Sequence, residues 1–515
     1  MNERWRLSPS FVVIVANVIL ALVAFVREAA LGAFLGTTYS ADAFALSLYI
    51  SDVQANTILY SSILFAAVPV FSSYVARGNN DSLERTMNSV TGAALISTLV
   101  LCVVNAIAAP RLIGLLGMGL SATARRLAID MLVMLLPLIP CYVLFGLFSA
   151  GLQAMSEFSA PAFGPVVLNL VFLAGLAFTL GRFGPAALAI FYSLGAACMF
   201  ALQAMVLRLR GVRVRVTIDP RDPGLREILT LVAPIALIQI LTQPGYLVER
   251  LLAGRFGEGG ISSLAYAFKV SQIPVWVFVA ALGAVAFPAL SRSASVRDSR
   301  ALSGVLEKSA VLTMAVTLPS ALVLGVFARQ IVALLFMRGA FGQSSLDLTS
   351  LVLRGFSATP VTNGFVYLLL RACYAVRDTR TAAVSTLAGS AVTVIADVIL
   401  ASRLGLVALG VGSAIGSACC AAVMAWRLRA QMAPGLWPRL TKSAVRLLGC
   451  GLVMIASMLV VEGCWPGRVE TMAVTGRLVR LASSLSVGFL AYAGACLWLG
   501  FGHLLPFRGR TVSRE

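Results

Sequence analysis

The sequence predicts an all-α polytopic membrane protein of about fourteen transmembrane helices, built mostly from two copies of a six-helix unit. Three observations carry this. Hydrophobic residues make up 59% of the 515 positions and charged residues only 12%, with a mean hydropathy of +0.93. Apolar stretches of about 20 residues, each long enough to cross hydrocarbon as a helix, recur along the whole chain. The order of motifs in the first part then recurs in the second. A soluble domain of this composition lacks the polar surface to cover its core.

Taken in order, the spans fall near 9–34, 42–74, 86–109, 127–152, 160–180, 185–207, 227–254, 262–290, 305–327, 346–375, 381–402, 406–428, 441–463 and 478–503. The first has a basic start like a leader peptide. No small-x-small site precedes Arg27, so it is expected to stay as a helix of the fold. The net charge of +19 does not imply nucleic acid, because the basic residues sit in short loops between spans. With the N-terminus inside, the cytoplasmic loops hold roughly twice the Lys and Arg of the outer ones. The richest are Arg208 to Arg226 and Arg427 to Arg446. The tail arginines Arg508, Arg510 and Arg514 place the C-terminus inside as well.

The repeat divides the chain. FVREAALGAFLGTTYSADAFALSL (25–48) lines up with YLVERLLAGRFGEGGISSLAYAFKV (246–270), and VPVFSSYVARGNNDSLERTMNSV (68–90) with FPALSRSASVRDSRALSGVLEKSA (287–310). VVNAIAAPRLIGLLG (103–117) matches LVLGVFARQIVALLF (322–336), and the runs from 184 and from 405 match in turn. Each copy holds six spans, so both enter from the same side, as parallel repeats do, and such bundles usually face a central cavity. The expected divisions are 1–215 for the first lobe (helices one to six), 216–432 for the second (seven to twelve), and 433–515 for helices thirteen and fourteen with a basic tail.

No Walker A motif is present, the one histidine, His503, ends the last span, and no acidic cluster has the spacing of a metal-dependent transferase. The nine cysteines lack metal-ligand spacing. The reading is a transporter rather than an enzyme, with no cofactor and no metal, driven by a membrane potential or ion gradient. Charges inside a membrane are costly and usually face a cavity or a partner. Those here are Arg27, Glu28, Asp42, Asp52, Asp130, Glu249, Arg250, Lys269, Arg354, Arg371 and Asp397, and Arg27–Glu28 and Glu249–Arg250 hold matching places in the repeats. Each reads either as a structural ion pair at a helix end or as part of an anion site. Arg27, Lys269 and Arg371 are the candidate headgroup cations, since Arg presents a planar fork to diphosphate and Lys a point charge. Glu28, Asp42, Asp52, Glu249 and Arg250 are candidates for gating or coupling, with Asp42 equally readable as a helix cap. Asn56, Asn105, Asn169 and Gln272 are polar groups of the cavity or glue between helices. The stretch 335–350 reads as a short amphipathic element on the outer face, a solvated turn or a headgroup contact through Arg338.

These segments resemble the MurJ (MviN) family of lipid II flippases, within the multidrug/oligosaccharidyl-lipid/polysaccharide exporter superfamily. The resemblance rests on FVREAALGAFLG with ADAF (25–44), AVPVFSSY (67–74), SAGLQAMSEFSAPAFGPVVLN (149–169), YAFKVSQIPVWVFVAALGAVAFPALS (266–291), LPSALVLG (318–325) and the run from LLFMRGAFG to CYAVRDTRT (334–381). It implies two lobes around a cavity with alternating access, and a groove for the undecaprenyl tail on helices thirteen and fourteen. It also implies lipid II as the cargo, moved from the cytoplasmic to the outer leaflet of the bacterial inner membrane, and functional coupling to cell-wall synthases. Arg27 with Glu28 matches the family's basic–acidic pair, and Asp42 the acidic residue opening the second helix. Lys269 stands where the family usually has Arg, Gln272 where some members have Glu, and Ala21 and Ala55 where some have basic residues. The alternative cargo is another lipid-linked oligosaccharide, an O-antigen or exopolysaccharide unit. A drug antiporter would be expected to have twelve helices, and a membrane glycosyl- or acyltransferase a catalytic acid or His on an outer loop.

Overall fold

A computed structural model describes residues 9–179, 183–296, 298–465, 467 and 469–501; His503 and the tail arginines lie outside them. Among the described residues, twelve helices or unbroken helical runs are long and apolar enough to cross a membrane. The twelve do not include the expected eighth and tenth spans, although each is one unbroken helical run, 260–295 and 343–375. In the second, Arg354, Thr362, Asn363 and Arg371 dilute the apolar run. The seventh is split, because Pro244 has no N–H to continue the helix and pushes Gln243 away from helical geometry.

The chain forms two compact units. The first comprises Met1–Gln243, Gly257–Ser262 and Arg338–Phe341. Its helices are α1 (Pro9–Leu35), α2 (Tyr39–Asp52), a π-helix (Val53–Tyr60), α3 (Ser61–Ala76), α4 (Asn80–Leu116), α5 (Ala122–Leu135), α6 (Leu138–Ala154), α7 (Ser159–Thr179), α8 (Ala187–Leu209) and α9 (Pro223–Leu241). Apolar residues of α3, α4, α6 and α9, among them Phe71, Met87, Leu147 and Ile228, make one core. Gly257–Ser262 closes on the start of α2, and Arg338–Phe341 closes on the end of α1. Gly36 and Gly339, both in the left-handed region, allow this, since a Cβ on Gly36 would lie 2.5 Å from the Ala340 carbonyl and one on Gly339 2.3 Å from that of Ala33.

The second unit comprises Pro244–Phe256, Ser263–Met337 and Gly342–Glu515. It holds α10 (Pro244–Arg255), most of α11 (Gly260–Pro274), a π-helix (Val275–Val279), α12 (Ala280–Ser295), α13 (Ser299–Val326) and α14 (Ala328–Phe336). There follow α15 (Gln343–Gly355), α16 (Thr359–Ala375), α17 (Thr379–Leu404), α18 (Val407–Leu428), α19 (Leu436–Gly463) and α20 (Val474–Trp498). The last two helices share the core of this unit, through Leu447, Cys450, Met458 and Tyr492. Tyr492 donates its hydroxyl to the Ala315 carbonyl of α13 at 2.8 Å.

The internal repeat is written into local geometry as well as sequence. Helices α6 and α16 end in the same way. Ser156 and Arg377 adopt left-handed φ values of 60° and 62°. The next residue's N–H then reaches five positions back, Glu157 to Leu152 and Asp378 to Cys373, both at 2.8 Å, the bond that marks a Schellman stop. Glu157 and Asp378 in turn accept a backbone N–H from the start of the following helix, Ser159 at 3.1 Å and Thr381 at 2.9 Å. The two π-helices also fall at matching places, each after the first half of the second helix of its repeat.

Candidate functional site

In the first unit, the late part of α1 carries the ion pair that its sequence suggested. The Arg27 guanidinium donates to Glu28 Oε1 through Nε at 3.0 Å and through Nη2, and it sits 5.9 Å from the ring centre of Tyr192 on α8. Glu28 is buried and the Arg27 side chain nearly so. The fork therefore has an acidic neighbour to orient it and an aromatic face to support it. Tyr142 of α6 and Asp52, at the end of α2, are electrostatic neighbours of Tyr192. Arg27, Glu28 and Asp52 thus share one cluster. Tyr142 and Tyr192, which organise it, were not singled out from the sequence, since an aromatic residue in an apolar span carries no signal of its own.

Asp42 is wholly buried. It does not cap its own helix, whose N-cap position is Thr38. Its carboxylate accepts the N–H of Gly259 at 2.6 Å, the N–H of Ser262 at 2.8 Å and the Ser262 hydroxyl at 2.7 Å, so it caps α11 from a distant part of the chain. Beside it, the Tyr39 N–H donates to Glu258 at 2.7 Å. The π-helix carries half-buried Asn56 and wholly buried Ala55. Its Gln54 exchanges amide hydrogen bonds with Asn105 of α4 at 3.0 and 2.9 Å. Asn169 turns back on α7 and donates to the Pro165 carbonyl at 2.7 Å.

In the second unit, Glu249 and Arg250 form the corresponding pair on α10, at 3.3 Å. Glu249 is buried and is an electrostatic neighbour of Asp397 on α17. Asp397 is wholly buried, and among the described residues neither carboxylate oxygen has a hydrogen-bond partner. It fits there because Gly412 has no side chain: a Cβ on Gly412 would lie 1.9 Å from Asp397 Oδ1. Lys269 is half-buried on α11. Gln272 joins a chain across three helices, taking a bond from Asn363 at 3.3 Å, while Ser417 donates to Asn363 at 2.7 Å. Arg371 stacks on Tyr367, 4.4 Å from its ring centre, and donates to its hydroxyl. Gly283 leaves room for that guanidinium, since a Cβ there would lie 2.8 Å from Arg371 Cζ. Asp130 and Arg354 are exposed. An apolar cavity of about 340 Å³ opens between α13, the second π-helix and α20, lined by Val277, Phe278, Leu312, Phe489 and Tyr492.

The family described as "Lipid II flippase MurJ" matches residues 19–479. The lipid II flippase MurJ of Burkholderia cenocepacia is 24% identical over 500 residues, covering 94% of this chain and 95% of that protein. The probable lipid II flippase MurJ of Rhizobium meliloti is 25% identical over 512 residues, 96% of this chain and 94% of that one. Among solved structures, a lipid II flippase MurJ in an inward closed conformation superposes with a TM-score of 0.80 at 18% identity, covering 95% and 99% of the two chains. An inward-facing multidrug transporter of the MATE family gives 0.68 at 18% identity, covering 81% and 98%.

Proposed function

The chain belongs to the lipid II flippase MurJ family, and on that footing we propose that it carries lipid II from the cytoplasmic to the outer leaflet by alternating access. It is a multi-pass membrane transporter and not an enzyme. The observation that carries the headgroup reading is the Arg27 arrangement. A guanidinium stands about 12 Å inside the end of a membrane helix, held by Glu28 and supported by Tyr192. A cation is kept at that depth only where it serves a partner, and its fork matches the paired oxygens of a diphosphate. Lys269 and Arg371 in the second unit are the further phosphate-binding cations of this reading.

Glu249 with Asp397 is the pair through which an ion gradient or membrane potential drives the cycle, supported by burial of both carboxylates. Asp42 serves gating, and Glu28, Asp52 and Arg250 set the charge of their clusters. The apolar cavity beside α20 accepts part of the undecaprenyl chain, supported by its lining. Both termini face the cytoplasm, in keeping with the basic loops, and cell-wall synthases consume the delivered precursor.

The test is complementation of a bacterium depleted of its own lipid II flippase, with lipid II accumulation as the readout. The wild-type chain is expected to restore growth and clear the accumulated lipid. Arg27→Ala is expected to insert at normal levels and fail. Normal growth with Arg27→Ala overturns the headgroup role. Rescue of an O-antigen or capsule export mutant in place of the flippase mutant assigns the alternative cargo.

A further inference from the structure

Between the end of α8 at Leu209 and the start of α9 at Pro223, the chain does not fold into a helix. It runs extended along the first turns of α4 and is tied there at several points. Asn88 donates its amide to the Arg213 carbonyl at 3.3 Å and accepts the Arg215 N–H at 2.6 Å. Glu84 accepts the Arg213 N–H at 3.3 Å. Arg85 pairs with Asp219 at 2.7 Å, and Thr86 donates to Asp222 at 3.0 Å. Gly92 permits the closest approach, since a Cβ there would lie 2.0 Å from the Thr217 carbonyl.

An extended strand alternates its side chains. In the run VRVRVTI (212–218), Val212 and Val214 turn inward and pack on the core of the first unit, which leaves Arg213 and Arg215 exposed. Further along, Val216 and Ile218 emerge as well, 64% and 61% exposed. The acidic side chains nearby are engaged in holding the strap: Glu84 and Asp219 as above, and Asp222 as the cap that accepts the Leu225 N–H at 2.7 Å. The strap therefore exposes the two arginines, followed in the chain by the exposed apolar side chains of Val216 and Ile218.

Its level relative to the bilayer follows from its neighbours. The strap joins the ends of two membrane spans. It also lies beside the start of α4, a 37-residue helix about 55 Å long, which outreaches a hydrocarbon core of about 30 Å. That is the depth of the headgroups. Arginine forks suit phosphate diesters, and exposed Val and Ile beside them suit the apolar boundary beneath. We propose that the strap 210–222 is a binding surface for the phosphate headgroups of anionic phospholipids in the leaflet it faces. It holds the first unit at a fixed depth and is separate from the site that handles the cargo.

The test uses the full-length protein in nanodiscs of phosphatidylcholine, alone or mixed with phosphatidylglycerol, with the lipids it retains read by native mass spectrometry. The wild type is expected to retain phosphatidylglycerol in preference to phosphatidylcholine. Arg213→Gln with Arg215→Gln is expected to lower that preference by roughly fivefold for each arginine, while the Lys pair keeps most of it. Val216→Ser with Ile218→Ser is expected to reduce retention of both lipids alike. Should the double Gln variant fail to fold, Arg213→Gln alone is read in the same way. An unchanged preference in the Gln variants overturns the proposal. So does a preference abolished by inorganic phosphate, which marks a site for a free anion.

Discussion

The Asp42 carboxylate takes both the backbone N–H and the hydroxyl of Ser262 on one oxygen, at 2.8 and 2.7 Å. Two residues far apart in sequence thereby form a helix cap, with the donors of α11 satisfied by a side chain of α2. Because the acceptor is charged and buried, each bond is stronger than a neutral one. Asp42→Ala is expected to lower stability by about 2 kcal/mol or more, read as a fall in Tm of the purified protein. Ser262→Ala, which keeps the backbone bonds, is expected to cost about 1 kcal/mol. Equal Tm values for Asp42→Ala and wild type would remove the cap from the account.

Tyr192 supports the Arg27 guanidinium through its ring, and the contributions of its ring and its hydroxyl separate by substitution. Tyr192→Phe keeps the face under the cation and is expected to retain most transport. Tyr192→Leu removes it and is expected to lower transport by roughly two- to thirtyfold, the span of about 0.5 to 2 kcal/mol for such contacts. The measurement is lipid II turnover in the depleted strain at matched protein levels. Equal loss in the two variants would assign the effect to the hydroxyl alone.

Close helix packing makes a sharper structural prediction. Gly416 on α18 faces α17 so tightly that a Cβ would lie 1.9 Å from Thr393 Oγ1 and 2.6 Å from the Gly389 carbonyl. A backbone atom cannot step aside, so Gly416→Ala is expected to destabilise by about 1 to 3 kcal/mol. Gly114 in α4 has open space at the same position, and Gly114→Ala is expected to stabilise by about 0.5 to 1 kcal/mol. Thermal melts of the two variants should move in opposite directions.

Much of the architecture was readable because a membrane forces it. A helix must satisfy its own backbone in hydrocarbon, so an apolar run of the right length is nearly a span already. The polar tenth helical run was recoverable through the repeat, since 346–375 sits where a helix is needed. The break at Gln243–Pro244 was not. Pro69, Pro165, Pro234 and Pro319 all lie inside helices of this chain, so a proline alone does not mark a stop here. The site was legible at the level of charges and opaque at the level of partners. Arg27 and Glu28 adjoin in sequence and pair in the structure, whereas the donors to Asp42 come from residues 259 and 262, which no local pattern links to it. The π-helices had no sequence signal at all.

Asp397 separates stability from function. Its carboxylate is buried without a hydrogen-bond partner among the described residues, which is costly in an apolar surround. Asp397→Asn removes the ionisable group at nearly constant volume. Tm is therefore expected to hold or rise while transport is lost, the pattern of a residue kept for function against stability. The check pairs a melt with lipid II turnover measured with and without an imposed ion gradient. Full gradient-dependent turnover in Asp397→Asn would remove it from the coupling scheme.

The last two helices are fixed to the rest of the second unit by two arginines near the start of α20, and their loss is expected to act on the apolar cavity beside α20 at a distance. Arg480 binds Glu462 through Nε at 2.9 Å and Nη2 at 2.7 Å, with Gln330 of α14 donating to the same carboxylate oxygen at 3.1 Å. Arg477 donates to the carbonyls of Val469, Ala333 and Met337 at 3.0, 3.3 and 3.0 Å, which places a cation at the C-terminal end of α14, where the helix dipole favours it. Removing Arg480 leaves Glu462 largely buried without its cation, a change that costs about 3 to 5 kcal/mol in buried pairs. Arg480→Ala is expected to loosen α19 and α20 and so deform the cavity that Phe489 and Tyr492 line. Proteolysis in the 464–473 connection should accelerate, and lipid II turnover should fall. Arg480→Ala with Glu462→Ala removes both charges and is expected to recover much of the protease resistance. A double variant as labile as Arg480→Ala would show that the ion pair is not what holds the hairpin in place.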